Sequence, residues 1–264
     1  MIRAYRALLV AGFQHAAQYR VSLFLYVFFS LLRPIIFLAA WVAVVAARGG
    51  SVGSFGVPDF AAYYIGVTIV LHLSISWNAY EFEFQIRQGR LSPLLLRPLH
   101  PIHYAVVENI VWKVFTAAAL VPAIVAIALT FGARFPTELW HYLLFVPSLL
   151  LAAALRFVFG WVVASSAFWI TRMSALNTFS ERIGFILAGQ IAPLALLPGP
   201  LQSIAYALPY AYMLGVPVDI LRGATTLPQS LLLMGGQMLW LALAYVALQL
   251  VWRAGLRQYS AVGA

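Results

Sequence analysis

The sequence predicts an all-α integral membrane protein. It is read as one transmembrane domain over residues 1–264, with six transmembrane helices, an N-terminal interfacial amphipathic helix and an outer re-entrant stretch before the last span. Three observations carry this. Six long apolar stretches follow one another: Val21–Ala47, Phe60–Trp77, Tyr104–Phe131, Leu143–Ile170, Ile183–Leu197 and Leu231–Trp252. Lipid tolerates a backbone only when its polar groups are satisfied within the segment, so a run of about 20 apolar residues reads as a spanning helix. Hydrophobic residues make up 64% of the chain and charged residues 9%, against roughly 45–50% and 25% in soluble domains, so lipid must cover the surplus. Arginine gathers in every second gap.

That last feature sets the orientation. With a cytoplasmic N-terminus, the inner segments hold Arg3, Arg6, Arg20, Arg87, Arg90, Arg97, Arg172, Arg182, Arg253 and Arg257, and the outer loops only Arg48, Arg134 and Arg222. By the positive-inside rule both termini are cytoplasmic. The same rule accounts for the formal charge of +9, and no nucleic-acid partner is expected.

Residues 1–20 lack the compact apolar centre and small-residue cleavage site of a signal, so none is expected to be removed. Ile2, Tyr5, Leu9 and Phe13 recur at spacings of three and four and share one helical face. Such a helix can lie flat at the inner surface and lead into the first span. The outer loop Arg48–Asp59 is rich in Gly and Ser, as a turn requires. Trp41, Trp77, Trp140 and Trp252 fall near predicted span ends, where interfacial anchors sit.

The inner connection 78–103 is long and charged. Glu81–Gln88 is expected to form a short helix with Phe82, Phe84 and Ile86 as its apolar members, ended by Gly89 in the left-handed conformation. Leu94, Leu95 and Leu96 follow, then Arg97 and Pro98. These leucines suit membrane anchoring, and the helix with its acids and arginines equally suits docking into a groove on a cytoplasmic partner.

Spans one, three and four carry charge. Arg33, Arg156, Glu108 and Lys113 lie inside predicted spans, where ionisable groups are costly and face protein or water. They are read as lining a translocation path or a subunit interface; snorkelling to the inner surface is the structural alternative for Glu108 and Lys113. The fifth stretch is short and carries Pro193 and, just beyond, Pro198. Residues 198–228, outside, are too apolar for a solvated loop and too broken by proline for a span. They are expected to form two short helices dipping back from the outer face, hinged near Pro209 and Pro217, or in part to lengthen span five. Tyr206, Pro209, Tyr210 and Pro217 would then form an outer gate.

Several chemistries find no support. There are no cysteines. His15, His72, His100, His103 and His141 are scattered, and only His100 with His103 approaches metal spacing, without a nearby carboxylate. Neither a catalytic nor a metal site is expected. A self-contained secondary transporter or an assembly factor remains as an alternative, but internal repeats and midplane acids for ion coupling are missing.

The order of features resembles a known family. An amphipathic start and six spans frame Ile86-Arg87-Gln88-Gly89-Arg90-Leu91 and Leu94-Leu95-Leu96-Arg97-Pro98. Beyond these come Ala207-Leu208-Pro209-Tyr210, Val216-Pro217 and the ending Gly255-Leu256-Arg257-Gln258-Tyr259. Over nearly its whole length the chain resembles permease subunits of bacterial ATP-binding-cassette exporters, the ABC type 2 permease family, with QGRL…LLLRP the most specific part. The resemblance implies a multi-pass protein of the bacterial inner membrane. It also implies a second permease, identical or related, two separate ATPase subunits beneath, and an amphipathic or hydrophobic cargo. It places Glu81, Glu83, Arg87, Gly89 and Arg97 on the coupling segment that meets the ATPase. The chain has no G-x-x-x-x-G-K-[ST] phosphate loop and its single lysine is Lys113. It is therefore expected to be non-catalytic and to bind no cofactor itself, with ATP and magnesium held by the ATPase.

Overall fold

The computed structural model describes residues 2–18, 20–170 and 173–259, and every regular element among them is helical. In chain order these are α1 (Ile2–Gln18), α2 (Arg20–Ala47), α3 (Val57–Ser74), α4 (Asn78–Arg87), α5 (Leu91–Leu95) and α6 (Pro101–Phe131). They continue with α7 (Leu139–Ser165), α8 (Ser174–Leu187), α9 (Gly199–Ala207), α10 (Pro209–Met213), α11 (Gly215–Leu221) and α12 (Leu227–Gln258). Arg172 and the side chains of Ile2, Arg3 and Arg20 lie outside the described residues.

Among the described residues, four helical stretches are long and apolar enough to cross a membrane: Leu25–Ala47, Val57–Arg87, Leu139–Phe168 and Leu227–Gln258. The bent α6 makes a fifth when taken as one span. Its two halves, Pro101–Val114 and Thr116–Phe131, meet at 41°. The Thr116 hydroxyl donates to the Trp112 carbonyl at 2.8 Å, a back-bond that loosens the helical ladder and favours bending.

The expected fifth span, Ile183–Leu197, is not a continuous helix. α8 has 14 residues, about 21 Å of helix, against a hydrocarbon core of about 30 Å. The backbone then runs irregularly from Ala188 to Pro198 apart from a 3-10 turn at Leu194–Leu196. Irregular backbone inside a bundle needs donors from its neighbours, and aromatic residues supply them. Trp41 Nε1 donates to the Ile191 carbonyl at 2.8 Å, Tyr64 Oη to the same carbonyl at 2.6 Å, and Tyr63 Oη to the Gly189 carbonyl.

α3 is the hub of the bundle. It touches α2, α6, α7 and α11, and Phe60, Tyr63, Tyr64 and Val70 are fully buried on its several faces. A helix apolar all round belongs inside a bundle rather than against lipid. α12 lies along α7, and α1 lays Tyr5, Leu9, Phe13 and Ala16 onto Val107 and Val111 of α6.

One end of the bundle gathers α1, α4, α5, the start of α6 and the ends of α7 and α12. Phe82 of α4 sits 5.0 Å from Trp161, 5.4 Å from Phe168 and 5.4 Å from Trp252 between ring centroids. Ser92 of α5 shares a 2.9 Å hydrogen bond with Tyr259. The opposite end gathers α9, α10 and α11 with the start of α7 and of α12.

There the expected pair of hinged helices is three. Pro209 begins α10 after an extended Leu208, as a proline imposes on the residue before it. Pro217 is no hinge: it sits within the first turn of α11, where its missing N–H costs nothing, and the break falls at Leu214 (φ −143°, ψ −58°). Every residue of α11 is buried. A closed polar knot ties this layer together. Gln237 of α12 accepts from the Ser148 hydroxyl at 3.0 Å and donates to the Ser148 and Tyr212 carbonyls at 3.1 and 2.9 Å. Trp41 and Trp252, expected as interfacial anchors, are packed into the core clusters, and Trp77 is half exposed.

Candidate functional site

The segment expected from the sequence to couple to a partner consists of α4 and the five-residue α5, at the first of these ends. Gly89, at φ +67°, ends α4 in the left-handed conformation expected from the sequence. At 100° per residue Phe82 and Phe84 cannot share a helix face. Phe82 is buried, whereas Phe84 is exposed under the Arg90 guanidinium, 5.1 Å from its ring centroid. Glu83 is turned inward and buried, and Arg87 reaches back to it at 3.5 Å while staying exposed. Glu81 is exposed and accepts from Gln85 at 3.2 Å. Arg97 lies 5.5 Å over the Tyr104 ring.

The three leucines divide their roles. Leu94 and Leu95 are half-buried, but Leu96 is 88% exposed, more than any other large apolar side chain among the described residues. Its neighbours Arg90 and Arg97 are exposed as well. The sequence alone presented the leucines as one block, since nothing in it says which way a five-residue helix turns.

His100 and His103 do not converge. His100 caps α6, its Nδ1 accepting from the Ile102 N–H at 3.3 Å, and its ring packs 4.7 Å from Trp252. His103 Nδ1 pairs instead with the Tyr5 hydroxyl. Burial, helped by the neighbouring His103, lowers the His100 pKa below the ordinary histidine value.

The intramembrane charges fall into two cavities. One, of about 470 Å³, lies between α2, α3, α7, α8 and α10 and is lined by Arg33, Arg156, Glu181 and Arg182 among aromatic walls. Arg156 donates to the Ser74 hydroxyl at 3.5 Å, and Arg33 lies 5.4 Å over the Phe185 ring. The other, of about 420 Å³, lies at the root of α4 and is lined by Glu81, Glu108, Lys113, Trp77, Trp112 and Trp161, with other residues. Thus Arg33 and Arg156 line one cavity and Glu108 and Lys113 the other; the two cavities share Tyr26, Ile75 and Trp77, and Lys113 stands within electrostatic reach of Arg156. Glu181 and Arg182 joined the first cavity without being singled out in the sequence. Their adjacency at the mouth of a short apolar stretch was the available signal.

At the opposite end, Tyr206 and Tyr210 are half-buried and Pro209 and Pro217 buried. Tyr210 shares a 3.0 Å hydrogen bond with Ser180 of α8. Asp219 and Arg222 form a 2.8 Å ion pair, and the guanidinium stacks 4.7 Å over Phe55. Burial pushes the Asp219 carboxyl above its usual value, and Arg222 opposes that shift.

Among the described residues, an all-helical bundle with four to five helices long and apolar enough to cross a membrane defines a multi-pass membrane protein. The family model described as ABC-2 family transporter protein matches residues 24–263, and the chain belongs to that family. It is a permease of an ATP-binding-cassette transporter, a membrane component whose family implies association with ATPase subunits. No curated protein matches the chain.

Proposed function

We propose that the chain is the transmembrane half of an ATP-driven exporter in the bacterial inner membrane, with both termini cytoplasmic. Two copies, or this chain and a related one, form the path, and two ATPase subunits holding ATP and magnesium dock beneath. The cargo is amphipathic or hydrophobic. Glu81, Glu83, Arg87, Gly89 and Arg97 belong to the coupling segment, Arg33, Glu108, Lys113 and Arg156 line the path or the subunit interface, and Tyr206, Pro209, Tyr210 and Pro217 build the outer gate.

One observation carries this reading. The segment from Glu81 to Arg97 presents an exposed Leu96 between exposed arginines on its outer side, and on its inner side Phe82 is wedged between Trp161 of α7 and Trp252 of α12. A knob that fits a groove, rigidly joined to two spanning helices, is what force transmission from a cytoplasmic partner requires. The test is a photo-cross-linking residue at Leu96 in intact membranes, with the captured protein identified by mass. Capture of a protein carrying a phosphate loop is expected. Cross-links to lipid alone would end the coupling assignment.

A further inference from the structure

We infer that the cavity holding Arg33 and Arg156 binds the anionic headgroup, phosphate or carboxylate, of an amphiphile whose tail leaves toward lipid beside α2. As a statement about cargo this rests on the exporter reading above; as a statement about binding it stands alone.

The charge balance of the cavity points to an anion. Three arginines line it (Arg33, Arg156 and Arg182) against one carboxylate, Glu181. Among the described residues no carboxylate comes within ion-pair distance of Arg33 or Arg156; Glu181 acts on the Arg156 charge only from farther off and is itself engaged by the Asn177 amide at 3.1 Å. Among the described residues Arg156 makes one long hydrogen bond, 3.5 Å to the Ser74 hydroxyl. A guanidinium at membrane depth is kept only where protein, water or a ligand meets its fork of donors. That planar fork matches the paired oxygens of phosphate and carboxylate. Arg33, above the Phe185 ring, is likewise held by an aromatic face rather than by an acid.

The walls and the opening point to an amphiphile. Phe29, Leu71, Phe159, Phe185 and Met213 line the same space. Its volume of about 470 Å³ falls within the range of small-molecule sites, roughly 300–1,000 Å³. Phe29 both lines the cavity and is 63% exposed, and Leu32 and Ile36 beside it on α2 are exposed too. The rim of the cavity therefore carries an apolar helix face beside the exposed Arg33, with the half-buried Arg156 further in.

The test uses the full chain in phosphatidylcholine nanodiscs without ATPase, titrated with dodecyl phosphate and, separately, with dodecyltrimethylammonium. Dodecyl phosphate should bind at least about 10-fold tighter, and Arg156→Gln and Arg33→Gln should each weaken it about 10- to 100-fold, the loss of a charge-assisted contact. Arg156→Lys, which keeps the charge but not the planar fork, should bind more tightly than Arg156→Gln and more weakly than wild type. Arg33 is exposed, so its variant decides the matter if Arg156→Gln does not fold. Equal binding of the two amphiphiles, or wild-type affinity in folded Arg33→Gln, would overturn the inference. Inorganic phosphate binding as tightly as dodecyl phosphate would overturn its amphiphile half. Discs containing phosphatidylglycerol separate the sources: competition with dodecyl phosphate assigns the headgroup to bilayer lipid, and its absence assigns it to another amphiphile. Because no ATPase is present, failure here leaves the coupling cross-link untouched, and failure of that cross-link leaves this binding result standing.

Discussion

Tyr63 and Tyr64 are neighbours that donate into the same irregular segment, yet they should differ in value. Tyr63 Oη is the donor to the buried Gly189 carbonyl, whereas the Ile191 carbonyl served by Tyr64 also accepts from Trp41. Tyr63→Phe therefore strands a carbonyl and should cost about 1–3 kcal/mol, seen as a lower unfolding midpoint in detergent. Tyr64→Phe should cost visibly less, and equal losses would show that the second donor is irrelevant. His100 gives a pH dependence with a definite sign. Its native pKa is lowered, first by burial and then by His103, so the unfolded chain protonates first as pH falls through the ordinary value of 6.5. Stability is fully present above that value and is lost below it, because a charged ring cannot accept from the Ile102 N–H. Unfolding midpoints measured between pH 7.5 and 5.5 should fall less in His100→Asn, which caps without titrating; parallel slopes would remove the assignment.

Helices long and apolar enough to stand alone were legible in the sequence: α2, α6, α7 and α12 each follow a stretch of at least about 20 apolar residues, and α3 a slightly shorter one. The fifth stretch was not, because hydropathy registers apolar character and not continuity, and the breaks at Gly189 and Pro193 are stabilised by donors more than a hundred residues away in sequence. The outer stretch was recognised as non-solvated from its apolar content and prolines, but its three-helix division depends on the Gln237 knot and the burial of α11, which are tertiary. Pro217 misled because proline marks a helix start as readily as a break. These details fix how the proposed outer gate can be probed. A cysteine at Gly215 would push its Cβ to 2.6 Å from Leu194 and report damage. Ala207 is exposed at the end of α9 and Ala211 is buried in α10. In a chain with no native cysteine, Ala207→Cys should react with an impermeant thiol reagent in every state. Ala211→Cys should react slowly at rest and faster during ATP turnover. Rapid reaction of both at rest would mean that α10 gates nothing.

At the scale of the whole molecule, the proposed coupling role divides contact from transmission within one segment, with Leu96 assigned to the first and Phe82 to the second. Leu96 touches little of its own chain, so replacing it perturbs the fold hardly at all. Phe82 is buried among Trp161, Phe168 and Trp252, so Phe82→Ala leaves a cavity where α4 grips α7 and α12; the usual cost of such a truncation is about 3–5 kcal/mol, partly recovered as the rings collapse inward. If α4 is a rigid lever, the two changes should fail differently. Leu96→Asp should abolish co-purification of the ATPase while leaving the permease inserted and thermally unchanged. Phe82→Ala should retain the ATPase, with basal hydrolysis, yet lose the stimulation by cargo, because the force reaches α4 and is not passed on. The double change of Glu83 and Arg87 to alanine, which removes the 3.5 Å pair stiffening α4, should resemble Phe82→Ala in kind and be milder in degree. Should Phe82→Ala also release the ATPase, docking and transmission would be one property of the segment and the lever description would have to be abandoned.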